Sequence, residues 1–584
     1  MFKETLLTLG IALTAYSAQA NTQIGDVADS VSPEFTSKVS DKQSVIAHQY
    51  MVAAAHPLAV EAGYEVLKKG GSAADALVAV QTVLGLVEPQ SSGLGGGAFL
   101  VYYDATSKKI TTFDGRETAP LAARPELFQD DNGKPLKFFD AVVGGRSVGT
   151  PGTVKLLSTM HEKYGSKAWS ELLEPAKRLA TNGFSVSERM ASSIARDKER
   201  LSRYPDTKAY FFTSDGEPLK EGHKLVNNAY AKTLDILDKE GGSAFYSGQI
   251  AKDIVERVTS IDDNPGVLAM DDFATYKIIE RDATCVGYQQ YDVCGMGPPS
   301  SGALTVGQIL GISSHFDLKE MGPNDPKSWQ IIGDASRLAF ADRGRYIADT
   351  DFVPMPEGLL DPDYLKSRAM LITEGKALAE VSAGSPPWQR KIALADDQSI
   401  ELPSTTHIVI ADAKGNIISM TSTVENGFGS RVMSNGFILN NELTDFSFAS
   451  HKNGAPIANR VEPGKRPRSS MAPTIVLEDG KPYMALGSPG GSRIIGYVAK
   501  TLIAHFDWGM DIQDAINMPN LVNRFGTYDL EEGTDAERFK EPLEKMGFNV
   551  EIRDLNSGLH GVVFTDGKLM GGADPRREGI AMGD

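Results

Sequence analysis

Residues 405–423 read TTHIVIADAKGNIISMTST. Two β-branched, apolar runs, Thr405 to Ala411 and Ile417 to Thr423, flank Asp412-Ala413-Lys414-Gly415-Asn416, a cluster of turn-forming residues. β-Branched side chains pack well on a pleated surface, so the stretch predicts an antiparallel hairpin with a five-residue loop. A loop of that length sets Thr405 directly across from Thr423. Side chains alternate between the faces of a strand, and a one-residue slip would throw the two threonines onto opposite faces. Ala383 to Ser404 (AGSPPWQRKIALADDQSIELPS), just upstream, is rich in Pro, Ser and charge and predicts an exposed loop. Thr405 therefore stands where a long polar loop meets a core strand.

Further towards the N-terminus, Ser72 caps a predicted helix over Ala73 to Leu86, with Ala76, Leu77, Val80, Val83 and Leu84 on one apolar face. Ser91-Ser92-Gly93-Leu94-Gly95-Gly96-Gly97 follows, then a strand over Ala98 to Tyr103. The glycines nearly match a dinucleotide-binding fingerprint, but that motif follows a strand and opens a helix. Here the order is reversed, so no nucleotide site is assigned. Helices are also predicted over Val154 to Tyr164, Ser170 to Thr181, Ala229 to Glu240 and from Ile494 onward. Cys285 and Cys294 lie in TCVGYQQYDVCG, a predicted hairpin turning at Gln289-Gln290, where they oppose each other. Facing cysteines form either a cross-strand disulfide or two buried thiols, and the spacing leaves both open.

The 584 residues carry 59 Lys plus Arg against 76 Asp plus Glu, a net charge of −17, with 41% hydrophobic residues. An acidic balance argues against a nucleic-acid binder or adsorption to anionic membranes. Two cysteines exclude a disulfide-dense scaffold. The nine histidines show no pair at metal-ligand spacing, and no metal or cofactor is expected. GxxxxGK[ST], HExxH and GxSxG are all absent. Met1 to Ala20 has a lysine at its start, an apolar run from Leu6 to Tyr16 and Ala18-Gln19-Ala20 at its end, the pattern of a signal peptide. A periplasmic or secreted location is therefore expected.

Five motifs extend the reading of Thr405. Upstream is Asp114-Gly115-Arg116-Glu117-Thr118-Ala119-Pro120, and then the hairpin with Thr405-Thr406-His407 and Thr423. Leu439-Asn440-Asn441-Glu442-Leu443-Thr444-Asp445-Phe446, Lys465-Arg466-Pro467-Arg468-Ser469-Ser470 and Gly487-Ser488-Pro489-Gly490-Gly491-Ser492-Arg493 follow. In this order they resemble the γ-glutamyltranspeptidase (glutathione hydrolase) family of N-terminal-nucleophile enzymes, over nearly the whole chain after residue 20. The resemblance implies an α+β fold of four layers, αββα. It also implies cleavage of a precursor between Ser404 and Thr405, giving a large subunit (21–404) and a small one (405–584) that form a heterodimer. The implied substrates are glutathione and other γ-glutamyl compounds, with water or amino acids and peptides as acceptors.

The chemistry is consistent with those residue types. A threonine hydroxyl needs an adjacent base. Cleavage before Thr405 would create an α-amine of pKa ~7.7–8.0, roughly a tenth of it neutral at pH 7, against less than one lysine in a thousand. Thr423, opposite, can hold that amine or hydroxyl in line. A γ-glutamyl group carries an α-carboxylate and an α-ammonium. Arg116 offers a bidentate fork for the first, with Ser469 and Ser470 as donors, and Glu442 and Asp445 suit the second. The resemblance assigns the oxyanion hole to Gly490 and Gly491. Many family members have Asn two residues after the second threonine, where this chain has Glu425, making the ammonium side more acidic. Residues 446–468 contain no tyrosine, so a tyrosine-bearing lid is not expected. Two other readings are a related acylase, acting on glutaryl-β-lactams or poly-γ-glutamate, and a secreted binding protein that is never processed.

Overall fold

In the computed structural model of this chain, which describes residues 36, 39–397, 399, 404–565 and 567–584, the hairpin forms in the expected register. Thr405 faces Thr423, and the pairing runs on to Ala411 opposite Ile417. The signal-peptide segment Met1 to Ala20 lies outside the described residues, as do residues 398 and 400–403 of the polar loop.

Fourteen strands make two central sheets. In chain order they are β1 (Val45–Ala47), β2 (Met51–Ala54), β3 (Gly97–Asp104), β4 (Lys109–Gly115), β5 (Ile279–Asp282), β6 (Thr284–Tyr288) and β7 (Tyr291–Gly295). Then follow β8 (Thr405–Ala411), β9 (Ile417–Thr423), β10 (Thr474–Glu478), β11 (Lys481–Gly487), β12 (His560–Thr565), β13 (Lys568–Ala573) and β14 (Ile580–Gly583). The first sheet has the order β14-β2-β8-β9-β3-β4-β5, and the second β1-β13-β12-β11-β10-β7-β6. Residues from both sides of position 404 are thus interleaved within each sheet.

Parity along β8 explains the layers. Val409 and Ala411 meet Ile475, Ala485 and Val562 of the second sheet, in an apolar layer between the two sheets. Ile408 and Ile410 point the other way, into a core shared with the helices α1 (Ala73–Val87), α2 (Thr153–Tyr164), α3 (Trp169–Asn182) and α4 (Asn228–Glu240). On the far face, α5 (Gly302–Ser313), α6 (Pro326–Tyr346) and α7 (Ile494–Phe506) cover the second sheet. The architecture is αββα. Thr405 shares parity with Val409, and Thr423 with Ile417, so both hydroxyls open into the space between the sheets.

Details depart from expectation in two places. All fifteen residues of α1 are buried, not one face only, because the helix packs between α3 and the first sheet; Ser72 and Asp75 close its N-terminus as a capping box. The described part of the polar loop is a mixture of exposed and half-buried residues, yet Pro386 and Ser404 are buried, and the Asp397 carboxylate is drawn inward by an ion pair to Arg468 at 2.7 Å. The cysteine question is answered too: Cys285 faces Cys294 on β6 and β7, and a disulfide joins them.

Candidate active site

Thr405 is the first residue of β8 and Thr423 the last of β9, and their hydroxyl oxygens lie 3.3 Å apart. The backbone N–H of Glu425 donates to Thr423 Oγ1 at 2.9 Å, and Thr423 Oγ1 donates to the carbonyl oxygen of Ser404 at 2.8 Å. A hydroxyl has one proton, and that of Thr423 is spent on Ser404. The contact between the threonines is therefore closed by the proton of Thr405. The bond between residues 404 and 405 thus carries a hydrogen-bond donor on its carbonyl. Gly96, in the glycine-rich run before β3, permits this packing: a Cβ there would come 2.0 Å from the Thr423 carbonyl oxygen.

Arg116 follows β4 directly. Its guanidinium is fully buried and spans two acids of one 3₁₀ turn, Glu442–Asp445: Nη1 pairs with Glu442 and Nη2 with Asp445 at 2.5 Å. The carbonyls of Pro467 and Arg468 accept its remaining bonds at 3.2 and 2.9 Å. The arginine and the acids read from the sequence as separate arms are therefore closed on each other. Burial opposes the charge of Arg116, but Glu442, Asp445 and Glu117 outweigh it and hold its pKa above the usual value. Burial pushes Glu442 well above the carboxylate range, against the pull of Arg116 and aided by Glu117 and Glu425. Glu117 is itself pushed up to about 7, again by burial with Arg116 opposing.

The remaining candidates surround the same point. Ser470 Oγ accepts from Arg343 of α6 at 2.8 Å, and Ser469 Oγ from the N–H of Met471 at 3.1 Å. Glu425 has a left-handed backbone, φ +76°, and its carboxylate accepts from Asn441. Gly490 and Gly491 stand at φ +136° and +56° between β11 and α7, and no described group accepts from either N–H. A Cβ on Gly490 would lie 2.7 Å from the ring of Tyr497.

Thr405, Thr423, Arg116, Glu425, Glu442 and Asp445 line one cavity of about 20 Å³, room for a single water. Ser469, Ser470, Met471, Gly491 and Ile494 complete its wall; Gly490 does not reach it. A roomier surface hollow of about 470 Å³, beside Glu531 to Thr534, holds none of these residues. Among the described residues there is no group of three His, Cys, Asp or Glu placed to hold a metal. No described helix is long and apolar enough to cross a membrane.

Some neighbours carried no role in the sequence reading. Glu117 and Asn441 stand inside quoted motifs, where adjacency to Arg116 and Glu442 was the only signal. Arg343 and Arg577 had none, since each reaches the site from a distant part of the chain.

Residues 59–584 match the family model described as Gamma-glutamyltranspeptidase. The chain is 38% identical over 555 residues to the glutathione hydrolase proenzyme of Bacillus subtilis (strain 168), covering 93% of this chain and 92% of that protein. It is 31% identical over 558 residues to the acylase ACY 1 proenzyme of Pseudomonas sp. (strain SE83), covering 94% and 96%. In three dimensions it is similar to a cephalosporin acylase from Bacillus halodurans, with a TM-score of 0.82, 24% identity and coverage of 95% and 99%, a likeness of fold.

Proposed function

The chain belongs to the gamma-glutamyltranspeptidase family, with the fold and the general hydrolase and transferase chemistry of that group, and on that premise we propose that it is a self-processed γ-glutamyltransferase and glutathione hydrolase. In this reading Thr405 Oγ attacks the Ser404 carbonyl, which Thr423 polarises; the 404–405 amide bond breaks as the Thr405 nitrogen takes the hydroxyl proton, and water hydrolyses the resulting ester to give 21–404 and 405–584. The freed α-amine of Thr405 then takes the hydroxyl proton as Oγ attacks the γ-glutamyl carbonyl. The amine of the substrate leaves with a proton, and a γ-glutamyl ester on Thr405 remains. Water or an acceptor amine attacks that ester, returning the proton to Thr405 Oγ. The N–H of Gly491, which lines the cavity, is assigned the developing oxyanion, and Gly490, outside the cavity wall, is assigned the turn that aims it. A periplasmic or secreted location is part of the same proposal, supported by the signal-peptide pattern of Met1 to Ala20.

The observation that carries the substrate class is Arg116 closed on Glu442 and Asp445. A zwitterionic end can enter by exchange: its carboxylate takes the guanidinium and its ammonium takes the acids, so no buried charge is stranded. A glutaryl group brings only a carboxylate, and would draw Arg116 away from Asp445 with no ammonium to take its place. The similarity to an acylase supports that second reading, and the charge balance favours the first. Glutathione and related γ-glutamyl amides are accordingly the proposed donors.

Intact mass spectrometry of wild type beside Thr405→Ala tests the processing step. Two fragments of about 41 and about 19 kDa, in proportion to the 62.8 kDa chain, are expected for wild type, with Thr405 first in the smaller. The variant should stay whole. An uncut wild type would favour the unprocessed binding protein. Hydrolysis of γ-glutamyl-4-nitroanilide against glutaryl-4-nitroanilide then separates the two enzyme readings, and preference for the glutaryl compound would overturn the first.

A further inference from the structure

The end of β8 that carries Thr405 extends beyond its neighbour β2, which pairs only with Ile408 to Ala411. Here a side chain from far along the sequence intervenes. Arg577, in the loop between β13 and β14, donates from Nη1 to the Thr405 carbonyl oxygen at 3.0 Å. Its fork is aimed by further bonds from Nε to Asn556 Oδ1 at 3.1 Å and to the Ser557 carbonyl at 3.2 Å. The Arg577 carbonyl is tied down in turn by Lys42 Nζ at 2.7 Å. The side chain is buried, and Glu88, at the C-terminal end of α1, attracts its charge.

In the continuous chain, residue 404 is also anchored, its hydroxyl donating to the Gln90 carbonyl at 2.5 Å. A cut after Ser404 removes that tether from Thr405, which becomes a chain end, and chain ends fray unless tied down. Pairing with Thr423 on one side and Arg577 on the other then remain to hold it. A nucleophile displaced by about 1 Å loses on the order of 10²-fold in rate. We propose that Arg577 is a positioning residue that holds the main chain of Thr405 once the chain has been cut. The inference rests on the reading of Thr405 as a nucleophile exposed by self-cleavage.

The proposal separates two rates that a folding defect would lower together. In the precursor Thr405 is restrained from both sides, so Arg577→Gln should self-cleave within about threefold of wild type. After cleavage its kcat for γ-glutamyl-4-nitroanilide should fall about 10- to 100-fold, with KM within about threefold. Arg577→Lys, keeping one donor, should recover part of that loss. Asn556→Ala, which removes one of the two acceptors aiming Nε but keeps the arginine, should give the same pattern more mildly, and serves alone if Arg577→Gln does not fold. A kcat within twofold of wild type, a loss carried by KM, or a parallel loss of self-cleavage and turnover would each overturn the proposal. Full activity in Thr405→Ala would instead remove the reading beneath it.

Discussion

At the scale of the residue, the proton accounting around Thr423 makes the sharpest prediction. Its hydroxyl accepts from Glu425 N–H and donates to the Ser404 carbonyl. Thr423→Val keeps the shape but deletes both roles, stranding a buried N–H at a cost of about 1–3 kcal/mol. Losing one donor to a developing oxyanion slows acyl chemistry by about 10²–10³-fold, so self-cleavage followed by mass should slow on that order, and Thr423→Ser should restore it. Equal cleavage in the valine variant would remove Thr423 from the reaction. Arg116 predicts a different signature. A lysine keeps the charge but not the fork, giving up at least one charge-assisted bond worth about 1.5–3 kcal/mol, so Arg116→Lys should raise KM for γ-glutamyl donors about tenfold or more. An unchanged KM would place the substrate elsewhere. The two threonines were legible because strand parity and a five-residue turn are local facts. Arg577 was not, because its partner is 172 positions away and nothing in its own neighbourhood marks it.

At the scale of the element, chain punctuation was read well and tertiary surroundings were not. The β8–β9 hairpin, the helix after Gly490-Gly491 and the cysteine hairpin follow from turn residues and β-branched runs, whose effects are confined to a few positions. The periodicity of α1 pointed to a single apolar face, yet its small residues let it be buried on all sides, which only packing against α3 and the sheet decides. The same holds for the polar loop: its composition reads as exposed, while one ion pair to Arg468 draws Asp397 into the interior. The glycine turn between β11 and α7 carries the prediction at this scale. At φ +136° an alanine is strained, and its Cβ would press on Tyr497 at 2.7 Å. Gly490→Ala should cost about 1–3 kcal/mol in denaturant unfolding and shift the neighbouring Gly491 N–H, lowering kcat more than it alters KM. An alanine variant with wild-type stability and turnover would remove the turn from the site.

At the scale of the molecule, the two sheets are locked by what lies between them. β8 and β9 are flanked in their sheet by β2 and β3, so cleavage after Ser404 would leave both products in one ladder. The interleaving was legible only through the family resemblance, because sheet order links segments hundreds of residues apart. Behind Thr405 on the same face of β8, His407 meets His560 of β12, one histidine from each sheet, and both are buried. Burial holds His407 well below its usual range, with His560 adding to the effect. Burial likewise brings His560 down to about 3, and Lys42 adds to that. Both rings are thus neutral in the folded protein, whereas in the unfolded chain they take up protons near pH 6.5. Below that pH the unfolded state binds more protons, so the contribution of the pair is present above pH 6.5 and is lost as pH falls towards 3. For His560 alone this amounts to about 3 kcal/mol between pH 7 and pH 4. Urea unfolding at those two pH values should show His560→Gln losing less stability than wild type over the interval, even though the variant starts lower at pH 7. Parallel losses in the two proteins would mean that the histidines do not couple the sheets to pH, and that acid destabilisation arises instead from carboxylates held low, such as Asp574, which, against the push of burial, Arg576 and hydrogen bonds bring down to about 2.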